Sequence, residues 1–191
     1  MITVEINGEE RQYPQGATYE DVANDYQKEY DNLIALAARD GKIRELFKKL
    51  TRDCEITFFT LKDDVGNKTY VRSATMLFLK AVFDVFGRET VQNCRVEFAI
   101  GNGSYISPKG KINATEENAA KIRNRMRELV EAKTPFLKKS YSLDNAMELF
   151  RREGMKDKEK LFRYRRGSFV NIYEMDGYYD YYYGYMLPNA G

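Results

Sequence analysis

The stretch "MITVEINGEERQYPQGATYEDVANDYQKEY", residues 1–30, decides how the first third of the chain is read. Ile2, Val4 and Ile6 alternate with polar neighbours, the period of a half-buried strand, and the following "NGEERQYP" turns into a second strand. The period then changes. Thr18 stands where a helix cap belongs, Glu20 and Asp21 complement the dipole in the first turn, and Val22 and Tyr26 share one face. Further on, "DNLIALAARDGKI" reads as a strand with a turn at Asp40-Gly41, and "CEITFFTLK" is rich in β-branched and aromatic residues. Hairpin, helix and further strands inside residues 1–61 predict a small α+β unit.

Residues 62–191 predict a second α+β unit. "YVRSATMLFLKAVFDVFG" is apolar on nearly every face and stops at Gly87, as a buried helix does. "NCRVEFAIGNGSYIS" reads as strand, glycine turn, strand. "TEENAAKIRNRMRELVEAK" is an amphipathic helix capped by Thr115, with Ile122, Met126, Leu129 and Val130 as its inward stripe. "SLDNAMELFRREG" is a second capped helix ending at Gly154, "MKDKEKLFRYRRG" reads as a basic linker, and "SFVNIYEMDGYYDYYYGYML" has strand composition throughout.

Composition removes whole classes of chemistry. The 191 residues contain no histidine, so the usual general base, the histidine triads and the commonest zinc ligand are absent. Cys54 and Cys94 are not a CxxC pair and read as reduced, buried thiols. "GNGSYISPKGK" has no lysine-then-hydroxyl ending, so the chain has no phosphate loop for ATP. We therefore expect no catalytic residue, no metal site and no cofactor in this chain. Lysine plus arginine (31) nearly cancels aspartate plus glutamate (29), so nucleic-acid binding has to be argued from local patches. The polar, acidic start is unlike a signal peptide, and no apolar run approaches the roughly 18 residues of a membrane span. A cytoplasmic protein with no membrane partner is expected.

The order of "TYEDVA", "CEITFFTLKDDVG", "IGNGSYIS", "TEENAAKIRNRM" and "NAMELFRREG" resembles threonyl-tRNA synthetase: a β-grasp, ubiquitin-like TGS domain followed by the editing domain shared with alanyl-tRNA editing proteins. The resemblance covers essentially the whole chain and implies a TGS domain over 1–61 and an editing-like domain over 62–191. That family carries HxxxH and CxxxH pairs beside the ester it hydrolyses. Here the matching positions are Arg72 and Met76 in "RSATM", and Tyr182 and Met186 in "DYYYGYM", while Asp180 and Gly184 keep their places. Arginine stays protonated, methionine is a weak donor, and tyrosine has a pKa near ~10, so this quartet cannot hold zinc or generate hydroxide. The resemblance thus implies a degenerate editing domain: either a cleft packed with side chains, or one in which Arg72 anchors an anion and the tyrosines stack a nucleotide or RNA end.

A histidine-free version also resembles the N-terminal region of bacterial uridine-kinase-like nucleoside kinases. That likeness implies a non-catalytic regulatory or ligand-binding region whose kinase domain, with its ATP and magnesium, follows this chain and partners it. The alternative is an RNA-binding module derived from threonyl-tRNA synthetase that has lost editing. Residues 151–166 bear on the choice. Eight cations, among them Arg151, Arg152, Arg163, Arg165 and Arg166, face three carboxylates, with Phe162 and Tyr164 interleaved, a mixture suited to phosphates and stacked bases.

Overall fold

The computed structural model describes residues 1–101, 103–108 and 112–191. Asn102 of the expected glycine turn, and Lys109, Gly110 and Lys111 of the "PKGK" stretch, lie outside the described residues. The chain is mixed α+β and forms two compact units, Met1–Ala74 with Tyr183–Asn189, and Thr75–Tyr182 with Ala190–Gly191.

In the first unit, β1 (Ile2–Ile6) and β2 (Glu9–Tyr13) are joined by Asn7 and Gly8, whose φ values of 53° and 83° give the doubly left-handed turn that favours asparagine-glycine. Helix α1 (Tyr19–Tyr26) begins with a full capping box. The Asp21 amide donates to Thr18 Oγ1 at 3.2 Å, and the Thr18 amide donates to the Asp21 carboxylate at 2.7 Å. A short 3-10 turn (Gln27–Glu29) leads to β3 (Ile34–Arg39), the Asp40-Gly41 turn, β4 (Lys42–Glu45) and β5 (Cys54–Thr60). The sheet order is β2-β1-β5-β3-β4, with β1 and β5 parallel and the other pairs antiparallel. Ile2, Val4, Ile6, Tyr19, Val22, Tyr26, Ile56 and Phe58 are buried together in one core, the α1 face and the strand alternation supplying the two sides.

Helix α2 (Asp64–Phe86) starts in this unit, and the division between units falls inside it. Short α3 (Arg88–Asn93), which the sequence reading did not include, follows Gly87 at φ 83°. In the second unit β6 (Arg95–Ile100) and β7 (Gly103–Ser107) form the expected hairpin. Helix α4 (Glu116–Glu131) is capped by Thr115, and α5 (Leu143–Arg152) by Ser142. Strand β8 (Leu137–Ser142) pairs with β9 (Phe169–Met175), which pairs with β10 (Tyr178–Asp180). Ala146, Leu149, Phe150, Phe162, Val170 and Ile172 form the core under this sheet.

Three sequence expectations change. Residues 156–162 are not a linker: Lys156–Phe162 is a helix, α6, whose Glu159 pairs with Arg163 one turn on and with Arg151 of α5. Only Tyr178–Asp180 of the tyrosine-rich ending is strand, because the backbone beyond it finds side-chain partners instead of a ladder. Val130 is 36% exposed, so the inward stripe of α4 rests on Leu129 with Ile122 and Met126 half-buried.

Candidate functional site

The four positions singled out in the sequence divide between the units. Arg72 and Met186 belong to the first, Met76 and Tyr182 to the second. On α2, Arg72 is half-buried and its Nη1 donates to the Tyr185 carbonyl at 2.6 Å. One residue on, the Ser73 hydroxyl accepts the Leu187 amide at 2.9 Å while donating to the Thr69 carbonyl. The buried Glu45 carboxylate accepts the Met186 amide at 3.3 Å, and Asn189 Nδ2 donates to Glu20. The Tyr185 carbonyl and the Met186 and Leu187 amides thus find in side chains the partners that a strand neighbour would otherwise supply, and Asn189 is held through its own side chain. Gly184 fits this arrangement because a Cβ there would stand 2.6 Å from the Arg72 guanidinium carbon, and its φ is 127°.

Met186 and Met76 are both fully buried, at 0% exposure. Tyr182 packs edge-on against Tyr173 at 6.5 Å between ring centres. Arg72 holds a carbonyl, the two methionines are packed side chains, and the tyrosine contributes a ring contact. No group of three histidine, cysteine, aspartate or glutamate side chains placed to hold a metal occurs among the described residues. Burial raises both the Cys54 and the Cys94 thiol pKa, which keeps them protonated and poor nucleophiles near neutrality. Arg72→Ala removes a charge-assisted bond of roughly 1–3 kcal/mol and should release the Tyr185–Asn189 segment without unfolding the chain. Hydrogen exchange at the Met186 and Leu187 amides is the readout, and unchanged protection would show that Arg72 does not hold the segment.

The second candidate surface, residues 151–166, is less cationic than its composition. Arg151 and Arg163 both meet Glu159, at 3.2 and 3.4 Å, and Arg152 meets Glu153 at 3.2 Å. Those contacts, led by Arg151, hold the Glu159 carboxyl below its usual range. Lys158 pairs with buried Asp180 at 2.9 Å, and Arg165 donates to the Tyr181 hydroxyl at 2.9 Å while lying over the Phe162 and Tyr181 rings. Among the described residues Lys156, Lys160 and Arg166 have no ion-pair partner, and Tyr164 is 82% exposed beside them in sequence. Phe162, read as a stacking residue, lies instead in the core at 1% exposure. Sequence reasoning missed the holding residues Ser73 and Glu45. The available hint for Ser73 is a polar residue inside a nearly all-apolar helix.

No family model matches the chain. Comparison with curated proteins finds threonine–tRNA ligases along essentially its whole length. The ligase of Thermotoga maritima is 29% identical over 189 residues, covering 97% of this chain and 28% of the ligase. The ligase of Maricaulis maris is 28% identical over 193 residues, covering 100% of this chain and 30% of the ligase. The ligase of Symbiobacterium thermophilum is 25% identical over 186 residues. The chain therefore resembles threonyl-tRNA synthetase and spans under a third of the length of these relatives.

Proposed function

We propose that this chain is a threonyl-tRNA-synthetase-derived module that has lost hydrolytic editing and contacts RNA without chemistry. The observation that carries the reading is the fate of the four ligand positions. Arg72 holds the Tyr185 carbonyl and Met76 and Met186 are fully buried, so none of these three side chains presents a group that activates water. The strand order β2-β1-β5-β3-β4 with a parallel central pair is that of a β-grasp sheet, which supports a TGS-like reading of the first unit. Ligase relatives favour the synthetase-derived origin over a nucleoside-kinase parent. No described helix is long and apolar enough to cross a membrane.

The RNA surface follows from the cations that have no internal partner. Lys156 and Lys160 are one turn apart on α6, and Tyr164 and Arg166 follow, an exposed ring between positive charges. Binding of a single-stranded oligoribonucleotide to the chain, followed by anisotropy, should weaken with salt at a log–log slope of about −2, the value for three phosphate contacts on a single strand. Tyr164→Ala should cost about 1–3 kcal/mol, the range for one stacked base. A salt-independent affinity, or one indifferent to Tyr164, would remove this surface from the proposal.

A further inference from the structure

The first unit carries an unexplained concentration of positive charge on one face of its sheet. Arg39 of β3 stands directly across from Lys42 of β4, a like-charge pair where the ladder would favour opposite charges. Arg44 lies two residues along β4 and so projects from the same face. Among the described residues none of the three has a carboxylate partner. Arg39 donates to the Thr51 hydroxyl at 2.9 Å, Arg44 to its neighbour's carbonyl at Ile43 at 3.0 Å, and Lys42 to nothing. The nearby carboxylate, Asp40, is held by Arg52 at 2.7 Å. Cations on an edge strand guard against unwanted pairing, which accounts for Lys42 and Arg44 on β4. It does not account for Arg39, whose strand is paired on both sides.

A second observation lies at the inner end of the same face. Tyr19 is 1% exposed, and the proton of its buried hydroxyl finds no acceptor among the described residues. Burial raises its pKa, while Arg39, whose guanidinium also reaches the phenol oxygen as a donor, and Arg44 oppose the rise. A buried phenol proton without an acceptor is a costly thing to keep, and here it sits beside cations that lack a counter-charge.

We propose that Arg39, Lys42, Arg44 and the Tyr19 hydroxyl form a binding site for a phosphate group. Two guanidinium forks match phosphate oxygens in pairs, the lysine adds a point charge, and the phenol donates one hydrogen bond. The site is separate from the RNA surface on α6 and stands whether or not that surface binds RNA. The phosphate could be free, on a nucleoside monophosphate, or in an RNA backbone.

The test is a set of three titrations of the full chain, with inorganic phosphate, adenosine monophosphate and a short oligoribonucleotide, followed through backbone amide shifts. Saturable shifts at residues 39–44 are expected with at least one probe. Arg44→Gln with Lys42→Gln should weaken that binding tenfold or more, and Tyr19→Phe about threefold. Saturation by inorganic phosphate identifies a free-phosphate site, whereas a response to the oligoribonucleotide alone identifies a backbone contact. Because the phosphate-free site is self-repelling, Lys42→Glu should raise the thermal midpoint by about 2 °C while abolishing the shifts. The inference is overturned if no probe moves residues 39–44, or if the shifts persist in the double variant. Shifts confined to residues 156–166 overturn this site and leave the RNA surface standing.

Discussion

Gly66→Ala should destabilise the protein by roughly 2–4 kcal/mol, against the sign that helix propensity predicts. In an exposed helix interior alanine exceeds glycine by about 1 kcal/mol. Gly66, however, lies in the first turn of α2, where a Cβ would stand 2.0 Å from the Thr60 carbonyl oxygen and 2.8 Å from its carbon. Those are backbone atoms that cannot swing aside. Thr60 ends β5 opposite Ile34, and its amide and hydroxyl both donate to Asp63, at 2.6 and 3.0 Å. Relief therefore requires moving the strand end or the helix start. Urea unfolding of the two proteins measures the difference. Equal or greater stability for the alanine variant would mean that α2 does not approach β5 as described.

The second large effect is expected at Asp180. Its carboxylate is 5% exposed and accepts the Lys158 ammonium at 2.9 Å, the Tyr181 amide at 2.7 Å and the Tyr178 hydroxyl at 3.3 Å. Asp180→Ala leaves a buried phenol without its acceptor and a largely buried ammonium with only the exposed Asp157 at 3.5 Å, a loss of about 3 kcal/mol, the lower end of the range for a broken buried pair. Burial lowers the Lys158 pKa, but Asp180 and Asp157 together outweigh it and the net displacement is upward. Tyr178 is pushed well above the phenol range, chiefly by burial. A folded-state pKa raised above the unfolded value contributes stability below the unfolded pKa and loses it as pH rises through the folded one. Both groups therefore lose their contribution only in alkaline solution, above about 10. The stability gap between the wild-type protein and Asp180→Ala should be flat from pH 6 to 9 in denaturant titrations. A gap that closes within that range would contradict the pairing.

What could be read from the sequence was local. Thr18, Thr115 and Ser142 are caps because a hydroxyl at that position meets an amide three residues away, and Asn7-Gly8 and Asp40-Gly41 are turns because they adopt positive φ. The ending was misread for the opposite reason. Tyrosines favour strands wherever a partner strand exists, but the Tyr185 carbonyl and the Leu187 amide are claimed by Arg72 and Ser73, more than a hundred residues earlier. No periodicity within the segment carries that information. The basic run was overestimated likewise: its composition shows eight cations, while the placement of Glu159 between Arg151 and Arg163 appears only when α5 and α6 are in space. Conversely, the positive face of the first unit was invisible because Arg39 and Lys42 become neighbours only through strand register.

The central proposal is that the residues at the positions matching the editing family's ligands perform no chemistry. It is tested most directly by the hydrolysis rate of an aminoacyl-RNA ester in the presence of increasing amounts of the chain, with and without added zinc. The account predicts the spontaneous rate at every protein concentration, because Arg72 holds the Tyr185 carbonyl and Met76 and Met186 are buried thioethers. A rate that rises in proportion to the protein and is lost in Arg72→Ala would contradict it.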